Sequence, residues 1–362
     1  MSVKHLRIIC LACSLVAVSS FLVPGAPVNP SQVNAQAGIM RWETVDTPNS
    51  DPGKNDVLNP YIGGNFTGSE IRDLSIGNNG TTIIAAVTVD QRYIDSTKPG
   101  APLGILMYSM NGGITWSTSA YLHLISSNGW NSLNQVYNVL IAPDDPKLWV
   151  FTAGTAANGP TEFWVSKDAG ATWNNAQAPA MAAGEAIGAI DISMDYGTGR
   201  DLMLATRSGG GNGRIFMTNM AGFSTWIQQS NPTTDPMDFF AVKFSPTYNG
   251  DQTFVVILAT GTGTYYNIGL RDINYNTTPS WIYPGDGVEV KSSSAVPSLT
   301  YVTLAKSSLS LPSDFSGQSA SLRRAFVSLY SPVVSAAVVY QTGIFRIDDS
   351  VVTTLLPTTP GK

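Results

Sequence analysis

Two near-copies of one octet limit what this chain can fold into. Ser166-Lys167-Asp168-Ala169-Gly170-Ala171-Thr172-Trp173 reads S-x-D-x-G-x-T-W, and Ser109-Met110-Asn111-Gly112-Gly113-Ile114-Thr115-Trp116 repeats it with Asn in place of Asp. A third and looser copy, Thr218-Asn219-Met220-Ala221-Gly222-Phe223-Ser224-Thr225-Trp226, keeps the hydroxyl, the Gly and the Thr-Trp, gains one residue and loses the carboxylate. The opening hydroxyls stand 57 and then 52 residues apart, a spacing that marks a repeated supersecondary unit.

The residue types explain the octet as a hairpin. A tight turn between antiparallel strands needs a residue that tolerates positive φ, which Gly113 and Gly170 supply. Asp168 folds back onto backbone donors, and Ser166 and Thr172 do so more weakly. Trp116, Trp173 and Trp226 leave the turn to bury a large apolar area against a neighbouring sheet. By this reasoning Asn111 gives a weaker turn than Asp168, and Met220 the weakest.

The octets resemble the Asp-box of the BNR-repeat β-propellers, in the sialidase-like superfamily. That group includes sialidases, sortilin-type receptors and many secreted proteins with no known reaction. The resemblance implies an all-β propeller of four-stranded antiparallel blades, with each box joining the third and fourth strands at the periphery. It places function at the other end, among loops that enter each innermost strand or join the second and third strands. Five blades can be read, with a sixth or seventh left open by the segments 49–69 and 284–322. In the first, Ile71–Ile76, a turn at Asn78-Asn79-Gly80, Thr81–Thr88 and Leu103–Ser109 lead to the box, and Ile114–Leu122 is expected as the fourth strand. Phe244 to Phe254 resembles the first-to-second-strand connection of secreted bacterial Asp-box proteins, and Leu299–Ala305 is expected to open the fifth blade. Arg41–Val45 reads as a terminal strand that closes the ring.

Composition agrees with many short strands joined by turns: only 12 % of residues are charged and 34 are Gly. The first 35 residues read as an export signal, with a basic start (Lys4, Arg7), an apolar run from Ile8 to Val23 and small residues before Ala35. The propeller domain is then 36–362. Both cysteines, Cys10 and Cys13, fall in the signal, so the exported chain has neither disulfide nor Cys-ligated metal, and His123 is its only histidine. No metal or cofactor is expected. The net charge of −5 and the lack of a basic stripe argue against nucleic acid. A membrane contact is expected only through an uncleaved signal, and a monomer is expected.

On this assignment the functional end carries Tyr61, Phe66, Glu70, Arg72, Asp90, Arg92, Tyr93, His123, Trp130, Glu185 and Asp238. Arg72, Asp90, Arg92, Tyr93, Trp130, Glu185 and Asp238 are the candidate ligand contacts, since rings beside acids and arginines can hold a peptide or a sugar. Sialidase chemistry needs an arginine cluster, an acid and a Tyr-Glu nucleophile pair. The nearest match to the family's F-R-I-P motif, Phe345-Arg346-Ile347-Asp348, lacks the Pro and lies at the wrong end, and no Tyr-Glu pair can be assigned. Asp73 or Asp191 with Glu185 or Asp238 is the alternative carboxylate pair for a glycoside hydrolase. Gly209 to Gly213 lacks the Lys and the helix of a phosphate loop. The sequence therefore points to an exported binding or scaffold module for a protein or glycan, with a sialidase-like glycoside hydrolase as the alternative. Far-ultraviolet circular dichroism of the purified chain should be dominated by β signal; a substantial helical signal would sink the propeller reading.

Overall fold

Alternating apolar runs bounded by Gly, Asn and Pro turns build five antiparallel sheets in strict chain order. A computed structural model describes residues 70–90, 102–128, 134–209, 211–219, 225–229, 231–232, 236–271, 280–292, 306–330 and 342–355. All lie in one unit, Asp46–Lys362. The first sheet is β1 (Glu70–Ile76), β2 (Ile83–Asp90) and β3 (Pro102–Ser109). The second is β4 (Asn134–Ala142), β5 (Asp145–Thr155), β6 (Gly159–Ser166) and β7 (Asn174–Ala176). The third is β8 (Ala186–Ile192), β9 (Asp201–Arg207), β10 (Ile215–Asn219) and β11 (Ile227–Gln229). The fourth runs β12 (Met237–Phe244), β13 (Thr253–Thr260), β14 (Gly263–Leu270) and β15 (Ser280–Trp281), with β16 (Val288–Ser292) also pairing β14. The fifth is β17 (Lys306–Ser310), β18 (Arg324–Tyr330), β19 (Gly343–Asp348) and β20 (Val351–Thr354).

Each sheet is an up-and-down meander whose first strand lies beside the first strand of the next: β1 by β4, β4 by β8, β8 by β12 and β12 by β17. Radial meanders with their first strands innermost are the blades of a β-propeller. The core lies between blades. Phe151, Trp149 and Trp173 of the second pack with Ile84, Leu106 and Met107 of the first, and Phe239, Phe254 and Leu258 of the fourth with Met203, Ile215 and Met217 of the third.

Two boxes close their turns as their residue types demand. Asp168 accepts from the Thr172 N–H at 2.8 Å, the Thr172 hydroxyl at 2.6 Å and the Ser166 hydroxyl at 2.8 Å, while Ser166 Oγ accepts from Gly170 N–H at 2.8 Å. Burial pushes the Asp168 carboxyl up, but these bonds from Thr172 and Ser166 outweigh it and hold the group below the usual carboxylate range. In the first box Asn111 Oδ1 accepts from Thr115 N–H at 2.9 Å and the Ser109 hydroxyl at 2.9 Å, and its amide donates to Thr115 Oγ1 at 2.9 Å. Asparagine thus reproduces the network with one bond reversed. In the third copy Thr218 Oγ1 instead donates to Thr225 O at 2.9 Å, and Trp226 Nε1 donates to Gln177 O at 2.6 Å. Met220 and Gly222 lie outside the described residues.

Two expectations are corrected. Ile114–Leu122 is not a fourth strand: only a bridge from Tyr108 to Ser117 survives, and Ser119–Asn128 forms a helix, α1. Ala120, Tyr121 and Leu124 bury one face of α1 against the first blade, which is worth more than a short outer strand. The fifth blade opens with β17, one step later than Leu299–Ala305, which lies outside the described residues. Arg41–Val45 also lies outside them. The Phe244–Phe254 segment does join the first and second strands of its blade, through a one-turn helix, α2 (Tyr248–Asp251).

Gly170 combines φ of +83° with close packing, since a Cβ there would stand 2.7 Å from the Trp149 ring and 2.9 Å from Ala120 of α1. Gly184 has φ of +80° with nothing within 4 Å. Gly184→Ala should therefore cost only the left-handed strain, about 1 kcal/mol, whereas Gly170→Ala adds overpacking and should cost about 2–4 kcal/mol. Urea unfolding of both variants checks this, and equal losses would show that the contact with α1 carries no energy.

Candidate functional site

Four of the five innermost strands share a distortion that shapes the functional end. The register slips between Ile71 and Asp73 in β1, Val136 and Val139 in β4, Ile187 and Ala189 in β8, and Phe239 and Ala241 in β12. A bulge re-aims the side chain it frees, and here the freed positions include Arg72, Tyr137, Gly188 and Phe240. The Arg72 guanidinium lies 5.0 Å from the centre of the Tyr137 ring, pairing the bulges of neighbouring blades. Arg207, at the end of β9, lies 5.7 Å from the Phe240 ring centre. Both arginines are half-buried, and such cation–aromatic pairs restrain a guanidinium over a ring.

The acids at this end are committed to the scaffold. Glu185, just before β8, is buried; it accepts from Arg214 Nε at 3.0 Å, from Ala182 N–H at 2.8 Å, and from Arg214 Nη2 and the Thr206 hydroxyl. Burial pushes the Glu185 carboxyl up, but the Arg214, Thr206 and Ala182 hydrogen bonds prevail and lower it. Asp238 is buried and accepts from Ser208 N–H at 2.9 Å and Gly209 N–H at 2.7 Å, fixing the β9–β10 loop. Between the second and third blades a groove of about 780 Å³ opens at the same end, lined by Asn158, Thr161, Gln177, Pro179, Met181 and Glu185. That volume suits an extended peptide or an oligosaccharide.

Deeper in, charged groups of several blades meet along the channel. Asp73 Oδ2 accepts from Val139 N–H at 2.9 Å and feels the charges of Lys243 and Lys306. Asp191 accepts from Phe244 N–H at 2.6 Å and pairs with Lys243 Nζ at 3.0 Å. Lys243 keeps 42 % of its side-chain surface accessible, as a group facing a wet channel does. Burial pushes both the Asp73 and the Asp191 carboxyls up, with their hydrogen bonds and the lysines offsetting only part of it. Asp191 in turn holds Lys243 protonated.

Of the residues nominated from sequence, Arg72, Glu185 and Asp238 thus gather at one end. Asp90 and Glu70 end strands of the first blade, and nothing is described of their side chains; Tyr61, Phe66, Arg92, Tyr93 and Trp130 lie outside the described residues. His123 sits exposed on α1. Glu185 and Asp238 each hold a loop apart from Asp73 and Asp191, while these last two share Lys243. Tyr137, Phe240 and Arg207 were missed as contacts: the first two are placed by bulges and Arg207 by the end of β9, and neither signal is local in the sequence. Among the described residues no three His, Cys, Asp or Glu side chains converge to hold a metal ion.

No protein-family model matches the sequence, and no curated relative does. Among solved structures the chain is similar to YCF48 bound to a D1 peptide, at 11 % identity over 81 % of this chain and 69 % of that one, with a TM-score of 0.42. It is also similar to the GH93 α-L-arabinofuranosidase of Fusarium graminearum with arabinobiose, at 12 % identity, 86 % and 85 % coverage and a TM-score of 0.45. A third likeness is the β-propeller domain of Cps50 (Swd1) of Myceliophteria thermophila, at 10 % identity, 83 % and 76 % coverage and a TM-score of 0.42.

The raised carboxyl of Asp73 has a stability consequence. A group whose folded pKa exceeds its unfolded value, about 3.9 for Asp, contributes most below that value and loses its contribution as pH rises through the folded pKa. Asp73→Asn keeps an acceptor for Val139 N–H and removes the titration. The melting temperature of the variant relative to wild type should therefore be more favourable at pH 7 than at pH 3; a difference that is constant or reversed would mean the lysines fully compensate the buried charge.

Proposed function

We propose that this chain is an exported, non-enzymatic β-propeller of the Asp-box repeat type that binds a protein or glycan ligand at its loop-rich end, in the cell envelope or outside the cell. The observation that carries the reading is the division of labour at that end. Glu185 and Asp238 are buried and spent on Arg214 and on loop N–H groups, whereas the half-buried Arg72 and Arg207 lie over the rings of Tyr137 and Phe240, which sit at bulges. Rings and guanidinium groups beside a groove whose one acid, Glu185, is paired with Arg214 bind and orient a ligand; they supply no pair of acid and nucleophile. The repeat type is supported by the two octets, whose Asp168 and Asn111 networks link the same positions with one bond reversed. Export is supported by the basic and then apolar start of the sequence.

The alternative reading, a glycoside hydrolase, has one observation in its favour: Asp73 and Asp191 share Lys243 in the channel, with carboxyls raised by burial. An acid of raised pKa beside a second carboxylate is the element such hydrolysis needs. The two readings separate cleanly. The purified chain should retain an envelope protein or a glycan, and the double variant Arg72→Ala/Arg207→Ala should weaken retention at least about tenfold, as losing two desolvated cation–aromatic contacts does. Turnover of a fluorogenic glycoside that Asp73→Asn or Asp191→Asn abolishes would establish the hydrolase instead.

A further inference from the structure

At the opposite end, the end of the boxes, a second cavity lies between the third and fourth blades. It offers about 120 Å³ between the β8–β9 loop and the α2 connection and opens to solvent at a rim of exposed residues. Native interiors rarely leave voids much larger than a water molecule, and a cavity of roughly 150 Å³ accepts a benzene ring. This one therefore has the volume of a single six-membered ring.

Its walls decide which ring. The floor is the ion pair of Arg271 Nη1 and Asp201 Oδ2 at 2.7 Å, both side chains less than 5 % exposed. Asp201 also accepts from the Tyr248 hydroxyl at 2.8 Å and the Tyr196 hydroxyl at 2.9 Å, and Asn219 donates to the latter at 2.7 Å. Opposite charges cancel at the floor, so an ionic ligand would be desolvated there without a counter-ion of its own. The tyrosine rings, 6.1 Å apart and inclined at 59°, give the sides an aromatic surface. The rim carries Thr198, Asn249 and Gln252, three neutral side chains that both donate and accept. Gln252 is fixed there by an unusual backbone, with φ of +51°, its N–H bonded to Tyr248 O at 2.9 Å and its carbonyl accepting from Arg271 N–H at 2.9 Å. A ligand that offers apolar C–H faces to rings and hydroxyls to amides, without net charge, is a neutral sugar.

We propose that this cavity is a binding site for one neutral sugar ring, a pentose or hexose residue, separate from the ligand site at the channel mouth. The source is either a free monosaccharide or the end of a glycan, and the same chemistry serves both. Saturation-transfer NMR on the full chain, with a panel of neutral methyl pentosides and hexosides and with uronic acids and amino sugars as charged counterparts, tests it. At least one neutral glycoside should bind saturably and more tightly than its charged counterpart. Asn249→Trp and, separately, Thr198→Trp, both at exposed rim positions, should reduce that binding at least tenfold with the melting temperature unchanged, while Arg72→Ala/Arg207→Ala leaves it intact. An oligosaccharide ending in the same residue that binds as well as the methyl glycoside identifies a glycan end, and preference for the free sugar identifies the monosaccharide; either supports the site. Absence of saturable binding by any neutral sugar, binding that survives both tryptophan variants, or equal affinity for charged counterparts would overturn it.

Discussion

An innermost strand pairs along one edge only, and the other edge leaves backbone N–H groups facing the next blade. A buried N–H without an acceptor costs about as much as a lost hydrogen bond. The chain answers with side chains placed on the preceding innermost strand. Asp73 takes Val139 N–H, Ser75 takes Ile141 N–H at 2.9 Å, and Asp191 takes Phe244 N–H. Each such bond joins two blades that share no ladder, and the apolar layers between blades are held in register by them. At the box end Asp144 with Arg200, Asp201 with Arg271, and Asp251 with Gly317 N–H at 3.0 Å repeat the device between successive blades. Several of the buried charges of the described residues are spent on this joinery.

That use of charge also separates the two ends of the channel. The bulge repeated in the innermost strands of the first four blades re-aims a side chain near the start of each. There Arg72 lies over the Tyr137 ring and Arg207 over the buried Phe240 ring. At the box end, among the described residues, short connections and boxes frame the open cavity over Asp201.

Much of the fold was legible because its signals are local. The boxes, the Asn-Gly turn, where Asn79 Oδ1 accepts from Thr81 and Thr82 N–H at 3.1 and 3.0 Å, and most strands are set by residues within a few positions of each other. The misses have physical reasons too. α1 mixes aromatic and β-branched residues that suit a strand, and its helical state depends on burying Tyr121 and Leu124 against another part of the blade. β17 reads Lys-Ser-Ser-Leu-Ser, with little β propensity, and is recruited by pairing with β18. The site was legible as a region and not as a constellation. Glu185 and Arg214 lie 29 positions apart and Lys243 and Asp191 52, so their pairing, which turns supposed ligand contacts into scaffold, is invisible before the blades are assembled.

The helix of the first blade rests on the turn of the second. Gly170 has no room for a Cβ because Ala120 of α1 and the Trp149 ring already fill that space. A blade cut from this protein at its repeat boundary would therefore carry half of a matched surface, and a duplicated or transplanted blade would meet a neighbour that does not fit. The first two repeats share a pattern, yet each supplies part of the other's packing surface, so a change at Gly170 or Ala120 is felt in both.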